Sequence, residues 1–132
     1  MNNIRHISIT ICLILLALSV ACTSAPAESN LTPQQALEAI QQTAGLVILD
    51  VRTPAEFSAG HIAKAVNIDF YEKDFQDRIK ALDKGTPYFV YCRSGNRSGK
   101  TLEFMNKAGF KAVQHLDRGI NAWVREGLPI KR

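Results

Sequence analysis

The amino-acid sequence predicts a single α/β domain with a mainly parallel central sheet flanked by helices on both faces, and three observations carry that expectation. Strand-like and helix-like segments alternate from Thr32 onward, the order of a parallel sheet joined through crossover helices. The apolar runs are short and continuous, as in Leu46-Val47-Ile48-Leu49, and such runs mark strands buried on both faces. Of 132 residues about 105 remain once the N-terminus is set aside, enough for one core and one domain. With 46% hydrophobic and 21% charged residues, the chain falls in the globular class and outside the disordered one.

Each element has a local reason. Thr32-Pro33 supplies an N-cap and a proline at the first helical position, and the amphipathic stretch Gln34 to Ile40 continues a helix that ends before Gly45. Leu46 to Asp50 is a buried strand, and Ala65-Val66-Asn67-Ile68 is a second, shorter one. From Tyr71 to Leu82 the residues Phe75, Ile79 and Leu82 recur at helical spacing, and Lys84-Gly85 closes that helix. Thr86-Pro87 leads into the strand Tyr88 to Tyr91. A helix over Ser98 to Ala108 places Leu102, Met105 and Ala108 on one face and stops at Gly109. The strand Ala112 to Leu116 and a short helix from Ile120 to Glu126 complete the order.

Residues 1–21 read as an export signal: Arg5 and the free amine form a short positive region, and the apolar run Ile7 to Ala21 follows. That run is shorter than the about 20 residues usual for a membrane span and opens into a small, polar tether over residues 22–31. Leu18-Ser19-Val20-Ala21-Cys22 resembles a bacterial lipobox, with Ser19 at the place where such boxes usually carry Leu. Cys22 is therefore a lipidation candidate, which would attach the protein to a membrane. Cleavage after Ala27 is the alternative, because Ala25-Pro26-Ala27 fits the small-x-small rule. Either route leads out of the cytoplasm, to a periplasmic location. Residues 32–132 form the domain.

Cysteine usage follows from this processing. Cys12 lies in the leader and Cys22 is acylated or removed, so Cys92 is the one thiol left and no disulfide forms within the mature domain. Net charge is +4, or +3 without Arg5, with no long basic run and no aromatics interleaved among the Lys and Arg residues. That distribution does not suit nucleic acid and favours small anions.

Cys92 stands where the apolar run Tyr88 to Tyr91 gives way to Arg93-Ser94-Gly95-Asn96-Arg97-Ser98, just before a helix. Amides at a helix start lack intrahelical partners and the helix dipole is positive there, so such a loop binds anions and favours a thiolate over a thiol. Arg93 and Arg97 add fixed positive charge. The loop suits a nucleophilic thiolate and an anionic substrate together.

Three ordered motifs resemble the single-domain rhodaneses, which are thiosulfate sulfurtransferases, and the export signal resembles that of small periplasmic members. Asp50-Val51-Arg52-Thr53-Pro54-Ala55-Glu56-Phe57-Ser58-Ala59-Gly60-His61-Ile62 is similar to the first signature, Cys92 to Ser98 to the active-site loop, and Gly119-Ile120-Asn121-Ala122-Trp123 with Gly127-Leu128-Pro129 to the C-terminal signature. The resemblance implies that Cys92 attacks the outer sulfur of thiosulfate and carries it as a persulfide to cyanide or a thiol. It also implies that Arg93 and Arg97 hold the thiosulfate oxygens while Ser94 to Ser98, including Gly95 and Asn96, supply amides. No metal and no organic cofactor are required. Two positions depart from the family: Lys64 stands where glycine is frequent, and Arg118-Gly119 stands for a Gly-Gly pair. Arg118 either adds charge to the mouth of the site or faces water.

Other classes of function fit less well. Cysteine phosphatases and arsenate reductases also use a Cys-to-Arg loop, but phosphatases place five residues between the two, and Cys92 and Arg97 have four between them. A non-enzymatic persulfide-carrier or redox-sensing module is the other alternative. His61 reads as ordering a turn and His115 as packed in a strand or at an edge. Asp50 and Arg52 read as a pair that fixes the first loop, Glu56 as the start of a helical turn, and Trp123 as a core anchor. No His, Cys and Asp cluster suits zinc.

Overall fold

The computed structural model describes residues 29–132. The export signal over 1–21, Cys12, Cys22 and the tether as far as Glu28 lie outside the described residues. Within them the chain forms β1 (Asn30–Leu31), α1 (Pro33–Gln42), β2 (Val47–Asp50), α2 (Pro54–Ala59), β3 (Val66–Asn67), α3 (Phe75–Lys80), β4 (Tyr88–Tyr91), α4 (Asn96–Lys107), β5 (Val113–Leu116) and α5 (Gly119–Arg125). The strands make one sheet in the order β1-β5-β4-β2-β3, and every neighbouring pair is parallel. The predicted α/β class and parallel sheet are borne out.

Alternation of side chains along the strands divides the interior into two cores. Leu49, Tyr88, Val90 and Val113 face Phe75 and Ile79 of α3 and Leu102 and Met105 of α4. Ile48, Phe89, Tyr91 and Leu116 face the other way, against Ala36 of α1 and Ile120 and Trp123 of α5. Helices thus cover both faces, and β4, buried along its whole length, lies at the centre of the sheet. Trp123 is the expected anchor, 1% exposed, with its indole N–H donating to Pro129 O at 2.9 Å.

Four local differences from the sequence reading have identifiable causes. The end of the tether, Asn30–Leu31, is a strand paired with His115 and Leu116 of β5, so the domain starts before Thr32. Two residues are too few for any periodicity to reveal. The segment Pro54–Ala59 is a helix where only a turn was expected, although Thr53-Pro54-Ala55-Glu56 carries both halves of a capping box. In the other direction, α3 begins at Phe75 rather than Tyr71, because Asp69 accepts the Tyr71 N–H at 3.0 Å through its side chain and the Glu72 N–H at 3.2 Å through its carbonyl, holding a turn there. Finally, α4 starts at Asn96, two residues before the expected Ser98, which brings its first turn up to the cysteine loop.

Lys64 is the single non-glycine residue with positive φ among the described residues, at 65°. A side chain in that left-handed conformation costs about 1–2 kcal/mol, a cost that glycine would avoid. Arg118, at φ −104°, needs no glycine, and its departure from the family pattern is unstrained.

Candidate active site

Cys92 continues the phase of β4. Val90 points toward α4, and two residues on Cys92 points the same way, beneath the start of that helix. The chain then turns through Arg93 and Ser94 to Gly95, which caps α4 at φ 99° without any side-chain cap. The amides at the helix start are thereby left for the sulfur. Gly95 N–H donates to Cys92 Sγ at 3.1 Å, and Ser98 Oγ lies 3.5 Å from the same atom. Burial alone raises the thiol, but the Ser98 hydroxyl and the N–H groups of Ser98, Ser94 and Gly95 outweigh it and bring Cys92 below its ordinary value.

The cradle is locked from the side by the β5–α5 connection. Ile120 N–H donates to Cys92 O at 2.8 Å and Asn121 N–H to Arg93 O at 3.2 Å. A Cβ on Gly95 would fall 1.7 Å from Asp117 O, and one on Gly119, at φ 60°, would fall 2.4 Å from Arg93 C. Both contacts are with backbone, which cannot give way, so glycine is required at both positions. The C-terminal signature thus holds the cysteine loop in shape.

The expected loop residues divide into two groups. Cys92, Gly95, Ser98 and the Ser94 amide gather at the sulfur, whereas the side chains of Arg93, Ser94 and Asn96 are exposed. Cys92 itself is 0% exposed, so it forms the floor of the cradle. Arg97 is engaged elsewhere: its Nη1 and Nη2 donate to Glu56 Oε2 and Oε1, both at 2.9 Å, and its guanidinium lies 5.4 Å from the centre of the exposed Tyr71 ring. Glu56, expected to do no more than begin a turn, links the first signature to the active loop. The Arg97 guanidinium, with help from Thr53, holds the Glu56 carboxyl down at about 2 despite partial burial. Arg93 and Arg118 are exposed and pair with no carboxylate among the described residues.

Asp50 and Arg52 do pair, at 2.6 Å, and Arg52 Nη2 also donates to Gly60 O at 2.7 Å, which fixes the first loop. His61 stacks on Phe57 with ring centres 3.9 Å apart, and its backbone exchanges hydrogen bonds with Lys131, a turn-ordering role. His115 is packed in its strand as expected, and it also has two side-chain partners. It is buried on the α4 side of β5, with Ser98 on Nδ1 at 3.1 Å and Asn30 on Nε2 at 2.9 Å. The signal was its phase with Val113, which placed it on an inward position of a strand. Among the described residues no group of three or more His, Cys, Asp or Glu side chains is arranged to hold a metal ion.

The fold and site together define a parallel α/β domain whose central strand ends at a thiol, the one free cysteine among the described residues, with amides of the next helix start turned toward its sulfur. The chain belongs to the rhodanese-like family: residues 32–126 match the Rhodanese-like domain. It is similar to Thiosulfate sulfurtransferase 16, chloroplastic, of Arabidopsis thaliana, 36% identical over 98 residues that cover 67% of this chain and 82% of the relative. An uncharacterized protein of Synechocystis is 33% identical over 103 residues, 77% of this chain but 56% of that protein's length. Among solved structures, a rhodanese-related protein from Thermoplasma volcanium superposes with a TM-score of 0.68 at 31% identity, covering 77% of this chain and 96% of that one. The family match together with relatives named sulfurtransferases supports a sulfurtransferase family.

Proposed function

We propose that the protein moves the sulfane sulfur of thiosulfate to a nucleophilic acceptor, cyanide or a thiol, through a persulfide on Cys92. The observation that carries this reading is the donor set around the sulfur: the Gly95 N–H at 3.1 Å, with the amides of Ser94 and Ser98 and the Ser98 hydroxyl, favours a thiolate. The thiolate attacks the outer sulfur of thiosulfate. A new S–S bond forms on Cys92, the S–S bond of thiosulfate breaks, and its electron pair leaves with sulfite. The acceptor then attacks the terminal sulfur and the pair returns to Cys92.

Arg93 is exposed and pairs with no carboxylate among the described residues, so its charge is available to an incoming dianion. Arg97 keeps N–H donors beyond the two that Glu56 takes. Together with Ser94, Gly95, Asn96 and Ser98 they hold the oxygens and the transferred sulfur. Because Cys92 is fully covered, entry of thiosulfate requires the groups that cover the sulfur to move aside. The leader supports export, with Cys22 acylated and membrane-attached or the chain released by cleavage after Ala27.

Intact-mass measurement after thiosulfate treatment tests the reading. The protein should gain one sulfur atom, lose it on a cyanide or thiol chase, and gain none as Cys92→Ser. No gain by the wild type overturns the mechanism, and a gain that survives both chases favours a carrier that awaits a protein partner. The same spectrum reads the mature N-terminus and so decides between lipidated Cys22 and cleavage after Ala27.

A further inference from the structure

A continuous hydrogen-bonded chain runs from the thiol into the interior. Cys92 Sγ lies 3.5 Å from Ser98 Oγ, Ser98 Oγ 3.1 Å from His115 Nδ1, and His115 Nε2 2.9 Å from Asn30 Oδ1. Ser98 is 0% and His115 5% exposed, so water does not stand in for either partner. Asn30 sits directly opposite His115 in the parallel pairing of β1 with β5, which sets its carboxamide against the ring. Three elements thus join in one chain that ends at the sulfur: β1 through Asn30, β5 through His115 and α4 through Ser98, which alone reaches Sγ.

We propose that Ser98 and His115, with Asn30 setting the tautomer, form a relay that takes up the Cys92 thiol proton and turns the Ser98 hydroxyl toward the thiolate. Asn30 Oδ1 accepts from Nε2–H, so the lone pair of the neutral ring lies on Nδ1 and faces Ser98. Ser98 O–H has two acceptors besides the sulfur, Gly95 O at 3.2 Å and His115 Nδ1 at 3.1 Å. In the relay Cys92 S–H donates to Ser98 Oγ while Ser98 O–H turns from Gly95 O to Nδ1. On ionisation the S–H bond breaks as a new Oγ–H bond forms. The original Oγ–H bond breaks as Nδ1–H forms. No electron is gained or lost, and the proton count of the site is unchanged. The product is a thiolate that accepts from Ser98 O–H and from the Gly95 amide, paired through Ser98 with an imidazolium anchored on Asn30.

The surroundings of His115 agree with this role. From α4 it is faced by Ser98 and by Gly99, whose Cβ position would lie 3.5 Å from Cε1. From β1 it is faced by Asn30. Burial lowers its basicity, keeping the ring neutral while Cys92 holds its proton, and the nearby Asp117 carboxylate acts the opposite way. The charge that ionised Cys92 brings adds to the effect of Asp117. His115 and Asn30 are positioning residues, since neither touches the reacting sulfur.

The relay rests on the reading of Cys92 as a nucleophile, and its test separates the two. With the full chain labelled at histidine nitrogen, Nδ1 of His115 should be protonated at a pH at which Cys92 is ionised, and unprotonated at that pH in Cys92→Ala. An Nδ1 that stays unprotonated throughout the pH range in which Cys92 first ionises overturns the relay. The pH dependence of Cys92 alkylation, read on the Cys92 peptide so that Cys12 and Cys22 do not contribute, should move upward in His115→Gln, with about tenfold less thiolate at neutral pH. A folded His115→Gln protein with an unshifted profile also overturns it. Should that variant fail to fold, the nitrogen comparison of wild type with Cys92→Ala decides alone. A protein that takes no sulfur from thiosulfate while His115 still follows Cys92 loses the sulfur-transfer reading and keeps the relay.

Discussion

Two loops of this chain use the same four-residue device and come to different ends. Thr32-Pro33-Gln34-Gln35 and Thr53-Pro54-Ala55-Glu56 each place a threonine before a proline and close a capping box, with Thr32 N–H donating to Gln35 at 2.8 Å and Thr53 N–H to Glu56 at 3.0 Å. The first box opens α1, which buries Pro33 and Ala36 against the sheet. The second opens α2, none of whose six residues is fully buried. So short a helix is not stable by itself. What α1 gains from packing, α2 gains from Glu56, whose carboxylate serves its own helix and, 41 residues away in sequence, receives both Nη groups of Arg97 in the cysteine loop. One local motif is a helix start in the first case and a strut of the active site in the second.

Removing Glu56 should break the second loop most severely. Glu56→Ala deletes half the box, worth about 1 kcal/mol, and leaves a largely covered Arg97 without its carboxylate, worth about 1 kcal/mol more after solvent screening. Chemical denaturation should show a loss of about 2 kcal/mol, with faster amide exchange over residues 54–59. A loss confined to a few tenths would mean that the pair contributes nothing.

The charge can be removed without the box. With its folded value at about 2, below the ordinary 4.5, Glu56 contributes stability that is fully present above pH 4.5 and lost as pH falls through the folded value. Over that window the wild type should lose about 1 kcal/mol more than Glu56→Gln, since the amide keeps the acceptor of the box but does not titrate. Parallel stability curves for the two proteins would show that the ion pair has no energetic weight.

The contrast also shows where sequence reading stops. The cysteine loop was legible because its determinants are contiguous: an apolar run ends at Tyr91, and polar residues and Gly95 precede a helical pattern. The sheet was legible for the same reason, from runs such as Leu46 to Leu49. The pairing of Glu56 with Arg97 was not, because nothing local says which side of a capping carboxylate another loop approaches. Asn30 escaped notice because a two-residue strand has no period, and its partner His115 looked like an ordinary strand residue until β1 came to lie beside β5. Gly119 stood out within a motif, but its reason, an approach to the Arg93 carbonyl carbon that leaves no room for a Cβ, exists only in three dimensions.

The smallest effect belongs to the first loop and serves as the control for the second. Gln35→Ala removes the acceptor of the Thr32 N–H at an exposed helix start while leaving the Thr32 hydroxyl on Gln35 N–H, so it should cost about 0.5–1 kcal/mol. Because α1 is held mainly by its buried face, amide exchange should rise in its first turn alone, and the rate of Cys92 alkylation should not change. If Gln35→Ala proves as costly as Glu56→Ala, the two boxes are energetically alike and Arg97 adds nothing to the second. If it stays within its expected range, the difference between the variants measures what the Arg97 link contributes together with the Thr53 hydroxyl bond to Glu56, since both boxes carry the same Thr-Pro start and the same bond from the third helical N–H to the threonine hydroxyl.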